Sequence, residues 1–263
     1  MQLHGYLAFP TSSELIKNVH EAGYKAHHLH AQYKLFPVPE EQLEAFFDIK
    51  VKKEKICLSV GDPYKEKVQN LCHEISIIAQ SIGAINTIYF REGKLIGHNT
   101  EFLGIKKAIQ KEIDLEDKNI VIIGANSLAR AAIYAGLMSG GNVTILDSDI
   151  EKSKKLSKIF SCDFGTFEDY KRSFFDVVIH TATVDTGEDS FFEEKHFHKN
   201  QVVLDCNFHE KETDFIKIAE AAGATIVLGE DFFLVQAYEQ FNFFTGKDAP
   251  REVMKKEYEE NVV

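Results

Sequence analysis

Residues 115–149 read LEDKNIVIIGANSLARAAIYAGLMSGGNVTILDSD, and this stretch decides the fold. The apolar run 120–123 has the length of a strand, and an Ala-rich segment of helical composition follows the glycine turn. Gly140 and Gly141 end that segment before a second apolar run. Two such strands joined by a helix run parallel to each other. The stretch therefore predicts a β-strand, α-helix, β-strand unit.

Further strands alternate with helices after this unit. Three strand-sized apolar runs lie at 176–181, 201–205 and 225–228. Two segments with a helical pattern lie at 151–160 and 213–222. Alternation of this kind implies a parallel sheet with helices on both faces. We therefore predict a Rossmann-like, doubly wound α/β domain over residues 102–231.

The first part of the chain contains a second set of strands and helices. The predicted strands lie at 3–9, 28–36 and 55–60, with a hairpin formed by 85–90 and 94–97. The predicted helices lie at 14–22, 39–50 and 64–79. These elements predict a separate N-terminal α/β domain over residues 1–101.

The end of the chain, residues 232–263, is predicted to be helical. Apolar residues lie nearly all round a helix drawn over 231–246, and such a helix is buried rather than half exposed. We expect these C-terminal helices to return to the first domain and to pack against it.

Composition excludes several classes of partner. The net charge of -11 opposes a nucleic acid or an anionic membrane surface, because like charges repel. The longest apolar runs are far shorter than the ~20 residues that cross a bilayer. The start MQLHGYLAFP has neither the basic nor the apolar region of a signal peptide. We expect a cytoplasmic protein, monomeric or homodimeric, without nucleic-acid or membrane partners.

The cysteines and histidines give no pattern of a metal site. The four cysteines lie far apart without CxxC pairing, which indicates reduced thiols. The histidine pairs in HHLH at 27–30 and HFH at 196–198 lack a third ligand at metal-site spacing. We therefore predict no metal.

The turn formed by Gly124, Ala125, Asn126 and Ser127 is the candidate phosphate loop. A Rossmann turn needs a glycine for the bend, a second glycine where backbone approaches the pyrophosphate, and a small third residue. Gly124, Asn126 and Ala129 take these three places. The Asn126 side chain stands where the pyrophosphate should approach, so we expect weak nucleotide binding. The alternative is a domain that keeps the turn for packing and binds no nucleotide.

Asp147 ends the next predicted strand, about 20 residues beyond the glycine turn. A carboxylate at this place accepts hydrogen bonds from a ribose 2′-hydroxyl and repels a 2′-phosphate. If a dinucleotide binds, NAD is therefore favoured over NADP. The neighbouring Ser148 or Asp149 has an equally good alternative role as the cap of the helix that follows.

Four motifs in order carry a resemblance to a known family. They are VGDPYK at 60–65, GAINT at 83–87, GHNTEFLG at 97–104 and FFLVQA at 232–237. Together they resemble the motifs of the shikimate dehydrogenase family, in order and with matched spacing, over essentially the whole chain. The chain is similar to a divergent member of the quinate/shikimate dehydrogenase type.

The resemblance implies a reversible hydride transfer between nicotinamide C4 and a ring hydroxy acid, shikimate being the alcohol and 3-dehydroshikimate the ketone, as in aromatic amino acid biosynthesis. Lys65 falls on the family's catalytic lysine, which passes a proton to or from the reacting oxygen. An ordinary solvated lysine is the alternative. Glu101 falls on the catalytic aspartate with one methylene more. It either pairs with Lys65, serves a different substrate, or begins the helix at 102.

The resemblance also implies binding residues. Asn86 and Gln236 fall on residues that hydrogen bond to ring hydroxyls. Thr11 and Ser13 take the places of two serines that hold the substrate carboxylate, if the loop after the first strand is three residues shorter; N-capping is their alternative role. Thr183 stands in the cofactor-binding strand end.

Several residues depart from the family pattern. Gly61 stands in the place of a substrate-binding threonine and Phe208 in that of a tyrosine. Our leading interpretation is an oxidoreductase on shikimate or a related ring hydroxy acid, the small-molecule partner. One alternative is a catalytically silent or regulatory homologue that binds a small acid or a nucleotide. Another is a specialised-pathway dehydrogenase on a shikimate analogue.

Overall fold

The structure is a computed structural model that describes residues 1–10, 13–170, 174–182, 192–210 and 212–262. Its contacts divide the chain into two compact units. Unit 1 comprises Met1–Thr100 and Gln236–Val262, and unit 2 comprises Glu101–Val235. These limits lie close to the domain limits 1–101, 102–231 and 232–263 that we propose from the sequence.

Unit 1 is built on a six-stranded mixed sheet. Its strands are β1 Gln2–Ala8, β2 Ala31–Pro37, β3 Cys57–Val60, β4 Glu74–Ile75, β5 Thr87–Arg91 and β6 Lys94–His98. The order across the sheet is β2-β1-β3-β5-β6-β4. β1 runs parallel to β2 and β3, and β4 runs parallel to β6. β5 runs antiparallel to its neighbours β3 and β6.

The helices of the first hundred residues are mostly short. They are α1 Glu14–Ala26, α2 Leu43–Phe46, α3 Lys52–Glu54 and α4 Ile77–Ile82. A π-helical stretch, Phe47–Val51, joins α2 to α3, and 3-10 turns cover Glu40–Gln42 and Lys67–Leu71.

The helix predicted over 64–79 is wrong. A 3-10 turn is followed there by β4, and helix begins again only at Ile77. The cause is pairing with β6, because His73 donates its backbone N–H to Leu95 O and Ser76 donates its own to Gly97 O, each at 2.9 Å. Ser76 then caps α4 by accepting the Ala79 N–H. Strand pairing distant in sequence overrides the local helical pattern here.

The two faces of the unit 1 sheet differ in chemistry. Leu7 pairs with Val60 across β1 and β3, and both side chains belong to the main apolar core of the unit. Because side chains alternate along a strand, the neighbouring pair Tyr6 and Ser59 lies on the opposite face. We call this second face the polar face of unit 1.

Unit 2 contains a six-stranded sheet in which every pairing is parallel. Its strands are β7 Asn119–Ile123, β8 Asn142–Leu146, β9 Asp163–Gly165, β10 Val177–His180, β11 Val202–Asp205 and β12 Thr225–Val227. The order β12-β11-β10-β7-β8-β9 places β7 near the middle, with the chain winding outward on both sides. This is the strand order of a doubly wound dinucleotide-binding sheet. The predicted fold class is confirmed.

The longer helices of unit 2 lie where the sequence predicts them, with small changes of limits. They are α5 Glu101–Ile109, α6 Ser127–Leu137, α7 Ile150–Phe160, α8 Phe167–Tyr170 and α9 Asp214–Ala221, with a 3-10 turn at Glu194–His196. β9 and α8 were not predicted, because segments of three or four residues are too short to show a period.

Two helices complete the chain, α10 Gly229–Thr245 and α11 Arg251–Asn261. From Gln236 onward they belong to unit 1, where α11 packs against α1. Gly23 allows this approach, since a Cβ there would lie 2.7 Å from the Phe241 ring and 3.2 Å from the Met254 sulfur. Among the helices of the described residues, none is long and apolar enough to span a membrane.

Candidate active site

A chain of hydrogen bonds crosses the polar face of unit 1. The Tyr33 hydroxyl donates to Ser59 Oγ at 2.8 Å, and Ser59 donates to Gln240 Oε1 at 2.7 Å. Gln240 Nε2 donates to Asn86 O and to Thr87 Oγ1, both at 3.1 Å. All five residues are buried. The chain therefore joins β2, β3 and β5 to helix α10.

The orientation of the Asn86 amide follows from one backbone contact. Thr100 N lies 2.7 Å from Asn86 Oδ1, and a backbone N–H can only donate. The opposite end of the amide must therefore be Nδ2, which donates to Thr100 Oγ1 at 3.1 Å and to Gln236 Oε1 at 3.0 Å. Thr87 Oγ1 adds a second donor to Asn86 Oδ1 at 2.8 Å. Asn86 is held on both sides of its amide.

This arrangement also fixes Gln236. Because Asn86 Nδ2 donates, Gln236 must present its oxygen to Asn86 and turn its Nε2 group away. Within the described part of the chain, Gln236 Nε2 has no hydrogen-bond partner. The structure thus brings two predicted substrate-binding residues together, 150 positions apart in the chain, and leaves an N–H donor for a ligand oxygen.

Lys65 lies in the loop that follows β3, and it is buried with 7% of its surface exposed. Its Nζ is 3.6 Å from Asp62 Oδ2. Its backbone oxygen accepts the N–H of Ile85 at 2.7 Å, which ties this loop to the residue before Asn86. Its burial contradicts the alternative of an ordinary solvated lysine. A partly dehydrated ammonium stabilises an oxyanion more strongly than a solvated one does.

Glu101 is the first residue of α5 and is buried, with 4% of its surface exposed. It directly follows Thr100, which contacts Asn86. A carboxylate at a helix N-terminus is favoured by the helix dipole, so the helix-start interpretation agrees with its position. Its catalytic role stays a prediction.

Only one of the two residues predicted to hold a carboxylate can be described. Thr11 lies outside the described residues. Ser13 occupies the N-cap position of α1, but its side chain makes no capping hydrogen bond, and its buried Oγ has no partner in the described residues. The capping role proposed as an alternative for Ser13 is therefore not realised.

The candidate phosphate loop of unit 2 is a tight turn after β7. Gly124 has φ of +96°, and a Cβ there would lie 3.0 Å from Ala182 N. Glycine is therefore required at the bend. Asn126 caps α6, because its Oδ1 accepts the Ala129 N–H at 2.9 Å and its Nδ2 donates to Thr181 O at 2.5 Å.

The capping contact has a consequence for nucleotide binding. Backbone N–H groups at a helix N-terminus are the donors that hold a phosphate. Asn126 Oδ1 already occupies the N–H of Ala129. Ala125 and Ser127, the other predicted loop residues, flank Asn126, and Ser127 begins α6. The Asn126 side chain therefore competes for one backbone donor at the N-terminus of α6, and the weak nucleotide binding expected from the sequence stays a prediction.

Asp147 holds the candidate phosphate loop in place. Its Oδ2 accepts the N–H of Ala125 at 2.7 Å, and its Oδ1 accepts that of Asp149 at 2.8 Å. Asp149 in turn caps α7 by accepting the Glu151 N–H at 3.1 Å, which confirms the capping role proposed for it. Asp147 therefore has a structural task besides its predicted contact with a ribose.

A buried cluster at the ends of β10 and β11 lies outside the set of predicted site residues. Asp205 accepts a hydrogen bond from Thr213 Oγ1 at 2.5 Å, and its Oδ1 lies 3.2 Å from His180 Nδ1. The His180 ring stacks on Phe215 with centroids 4.4 Å apart. The available signal was that both strands end on polar residues at one sheet edge. Thr183, which follows β10, lies outside the described residues.

Ser59, Thr87 and Gln240 were also missed as members of the unit 1 network. A signal existed for Gln240, because it lies four residues after Gln236 and so on the same face of α10. Ser59 lies two residues before Gly61 in an extended segment and therefore shares its side of the sheet.

Two buried histidines lie behind the network. The His20 ring stacks on Tyr33 at 4.6 Å, and its Nδ1 donates to Ile16 O at 2.9 Å. Burial lowers the pKa of His20 to about 4. Burial and then the nearby His20 lower the pKa of His4 to about 3; its Nδ1 lies 2.7 Å from Tyr24 Oη. Both rings are uncharged at neutral pH, and the uncharged His20 ring packs against Tyr33.

Comparison with known proteins adds to this geometry. The family model described as the shikimate dehydrogenase substrate binding domain matches residues 8–88, and that of the shikimate 5'-dehydrogenase C-terminal domain matches 229–257. The shikimate dehydrogenase (NADP(+)) of Aquifex aeolicus is 30% identical over 259 residues, which cover 97% of this chain and 95% of that protein. This chain belongs to the shikimate dehydrogenase family.

Other members of the family are also similar to this chain in sequence and structure. The shikimate dehydrogenase (NADP(+)) of Syntrophobacter fumaroxidans is 35% identical over 206 residues, covering 73% of this chain and 70% of that protein. The crystal structure of the Aquifex aeolicus family member matches with a TM-score of 0.90 at 29% identity, over 98% of this chain and 97% of that one. A shikimate dehydrogenase in complex with NADP+ matches with a TM-score of 0.92 at 28% identity, over 100% and 96%. The chain is an oxidoreductase of the shikimate dehydrogenase type.

Proposed function

We propose that the chain catalyses reversible hydride transfer between C4 of a nicotinamide and the ring carbon that bears the reacting oxygen in shikimate and 3-dehydroshikimate. One observation carries this proposal. Asn86 and Gln236 are held together by a hydrogen bond, and the loop that contains the buried Lys65 is bonded to the residue before Asn86. Two oriented amides suit a ligand with several hydroxyl groups, since each amide offers donors and acceptors.

Lys65 is the proposed proton carrier. In the oxidation, the hydroxyl proton passes to the neutral amine of Lys65 as the hydride leaves the ring carbon; in the reduction, the ammonium returns this proton to the developing alkoxide. The same positive charge stabilises the oxyanion, and burial of Lys65 strengthens this effect. Glu101 is the proposed second catalytic residue.

Asn86 and Gln236 orient the ring. Gln236 offers Nε2 to an oxygen of the substrate, and its own position depends on Asn86. Thr11 and Ser13 are the proposed contacts of the ring carboxylate. Holding the ring so that the reacting carbon and Lys65 stay aligned supplies much of the catalysis, because a misplacement of ~1 Å can cost ~10²-fold in rate.

The loop of unit 2 fits a nicotinamide dinucleotide, but with a weakened hold on its phosphates. A bound nicotinamide supplies or accepts the hydride. Gly124, Ala125, Asn126 and Ser127 would hold the pyrophosphate, and Thr183 would contact the cofactor. The Gly124 bend and the N-terminus of α6 support this, whereas the Asn126 cap competes for the Ala129 N–H.

NAD is the proposed cofactor in preference to NADP. Asp147 stays available for a ribose hydroxyl because each carboxylate oxygen accepts more than one hydrogen bond, and its charge repels a 2′-phosphate. The curated relatives described above are named for NADP(+), so this chain would differ from them. Asp147→Asn should raise the kcat/KM ratio of NADP to NAD. An unchanged ratio would remove the support for this preference.

The experiment is to add shikimate with NAD or NADP to the purified chain and to follow the absorbance of reduced nicotinamide. We expect formation of the reduced cofactor with NAD, and its consumption when 3-dehydroshikimate is the substrate. If neither nucleotide is reduced at any shikimate concentration, the proposed reaction is refuted.

A second candidate is a catalytically silent or regulatory homologue that binds a small acid or a nucleotide; the Asn126 cap and the departures at Gly61, Glu101 and Phe208 support it. Thermal unfolding with each ligand separates the two functions, because a ligand at ~100 times its dissociation constant adds ~2.7 kcal/mol to stability. Stabilisation by shikimate and by a nucleotide supports the enzyme, and stabilisation by shikimate alone supports the silent homologue. The cytoplasmic location and the monomeric or homodimeric state stay predictions of the sequence.

A further inference from the structure

Gly61 leaves space that the hydroxyl of Tyr6 fills. A Cβ added to Gly61 would lie 2.1 Å from Tyr6 Oη and 2.6 Å from Tyr6 Cζ. Gly61 is not among the residues of positive φ, so its backbone does not demand glycine. The requirement for glycine at this position comes from the tyrosine.

The strand register explains how Tyr6 reaches this place. Tyr6 in β1 pairs with Ser59 in the parallel strand β3, and both side chains lie on the polar face. Gly61 lies two residues beyond Ser59, about 6.6 Å farther along the strand direction. The phenol therefore extends past the end of β3. A backbone hydrogen bond from Gly61 N to Leu7 O at 2.8 Å holds β1 against this loop.

The surroundings of the phenol belong to the candidate site. The carboxyl ends of parallel strands are where α/β proteins bind ligands, and the loop from Gly61 ends at Lys65. Lys65 O accepts the N–H of Ile85, next to Asn86. The Tyr6 side chain is half-buried and thus not sealed within the apolar core. Its hydroxyl occupies the space that a side chain of residue 61 would need, at the start of the loop that ends at Lys65.

We propose that Tyr6 is a substrate-binding residue that determines specificity, its hydroxyl hydrogen bonding to a ring hydroxyl of the substrate. This inference rests on the proposed function, since it takes a polyhydroxy ring acid as the ligand. A phenol is a stronger donor than an aliphatic alcohol, because its pKa is about 10. Its ring is rigid, so little freedom is lost when the contact forms.

Tyr6→Phe tests the contact, because it removes one oxygen and keeps the ring. We expect kcat/KM for shikimate to fall about tenfold, mainly through KM, as expected for one lost hydrogen bond. For the one mono-deoxy analogue of shikimate that lacks the contacted hydroxyl, wild type and variant should have equal kcat/KM. Tyr89→Phe is the matched control, since Tyr89 is a partly buried tyrosine of the same unit that stacks on Phe243.

A second set of variants moves the hydroxyl instead of removing it. Gly61→Ser alone should weaken shikimate binding, because the new side chain collides with Tyr6. Tyr6→Leu alone should weaken it by loss of the phenol. The double variant combines a vacated space with a new hydroxyl and should bind better than either single variant. If the double variant loses as much binding free energy as the two single variants together, the proposal is contradicted.

The proposed role of Tyr6 and the proposed reaction can fail independently. Calorimetry of shikimate binding in the absence of nucleotide distinguishes these two failures. Weaker binding to Tyr6→Phe supports the role of Tyr6 even if the wild type turns over no substrate, and then only the reaction is refuted. Equal binding to wild type and Tyr6→Phe overturns the role of Tyr6 and leaves the reaction standing if turnover is seen. If the wild type binds no shikimate, both proposals are overturned.

Discussion

Asn86 Nδ2 donates a hydrogen bond to Gln236 Oε1 at 3.0 Å. The direction of this bond follows from the Thr100 N–H that Asn86 accepts on its other side. A backbone donor in one segment therefore decides which atom a side chain on α10 offers to a ligand. If the proposed function holds, we expect binding of the ring acid to depend on this order of donors and acceptors.

Gln236→Glu should damage binding while leaving the protein folded. A glutamate oxygen still accepts from Asn86, but the Nε2 donor is replaced by a negative oxygen that repels a ring carboxylate. We expect KM for shikimate to rise at least tenfold. The control is Gln80→Glu, an exposed glutamine on α4. An unchanged KM for Gln236→Glu would show that Gln236 makes no contact with the substrate.

Gln240→Leu should lower stability, because the buried Ser59 hydroxyl loses its acceptor, and Thr87 Oγ1 and the Asn86 carbonyl oxygen each lose one donor. An unsatisfied buried polar group costs roughly 1–3 kcal/mol. We expect Tm to fall by several degrees in a thermal unfolding scan. Adding Ser59→Ala should cost less in the Gln240→Leu background than in wild type, since the two residues share one bond. If the losses of stability caused by Gln240→Leu and Ser59→Ala simply add, the shared hydrogen bond is contradicted.

Acid should destabilise the chain partly through its buried histidines. Burial lowers the pKa of folded His20 to about 4, whereas the ordinary pKa of histidine is 6.5, so the unfolded state binds the proton first as pH falls. The contribution of neutral His20 to the free energy of unfolding is fully present above pH 6.5. It is lost as the pH falls from 6.5 to about 4, and the loss is on the order of 3 kcal/mol.

The variant His20→Phe isolates this contribution. Denaturant unfolding at several pH values should give a shallower fall in the free energy of unfolding for His20→Phe than for wild type. His27→Phe is the control, because His27 is more exposed and lies near the surface. Parallel pH curves for wild type and His20→Phe would contradict the assignment of this acid sensitivity to His20.

Asn126→Gly should strengthen nucleotide binding at a small cost in stability. The Ala129 N–H becomes available to a phosphate, while the cap and the bond to Thr181 O are lost. Calorimetry should show a lower dissociation constant for NAD, and Asn142→Gly at the start of β8 should leave that constant unchanged. Equal affinities for wild type and Asn126→Gly would show that the cap does not limit binding.

The sheet of unit 2 could be predicted from the sequence because its central strands are continuous apolar runs. Ile120 to Ile123 are fully buried, and the helices between the strands have clear periods and caps. The segment 64–79 could not be predicted, because β4 exists only through pairing with β6. A local pattern carries no information about a partner strand that is distant in sequence.

The candidate site could be predicted only in part. The motifs indicated Lys65, Asn86 and Gln236, and the structure adds the burial and the hydrogen bonds that orient them. Ser59 and Gln240 meet although 181 positions separate them, so their contact depends on how α10 is placed on the sheet. The fit of Tyr6 against Gly61 likewise depends on strand register, which the sequence alone does not give.

The central claim is that a buried Lys65 carries the proton of the ring hydroxyl. Lys65→Met keeps the apolar stem and removes the amine, and Lys67→Met is its control, since Lys67 is exposed and pairs with Glu40. Steady-state shikimate oxidation should show kcat reduced by ~10²–10⁴-fold for Lys65→Met, with little change for Lys67→Met. A kcat for Lys65→Met within threefold of wild type would contradict the account.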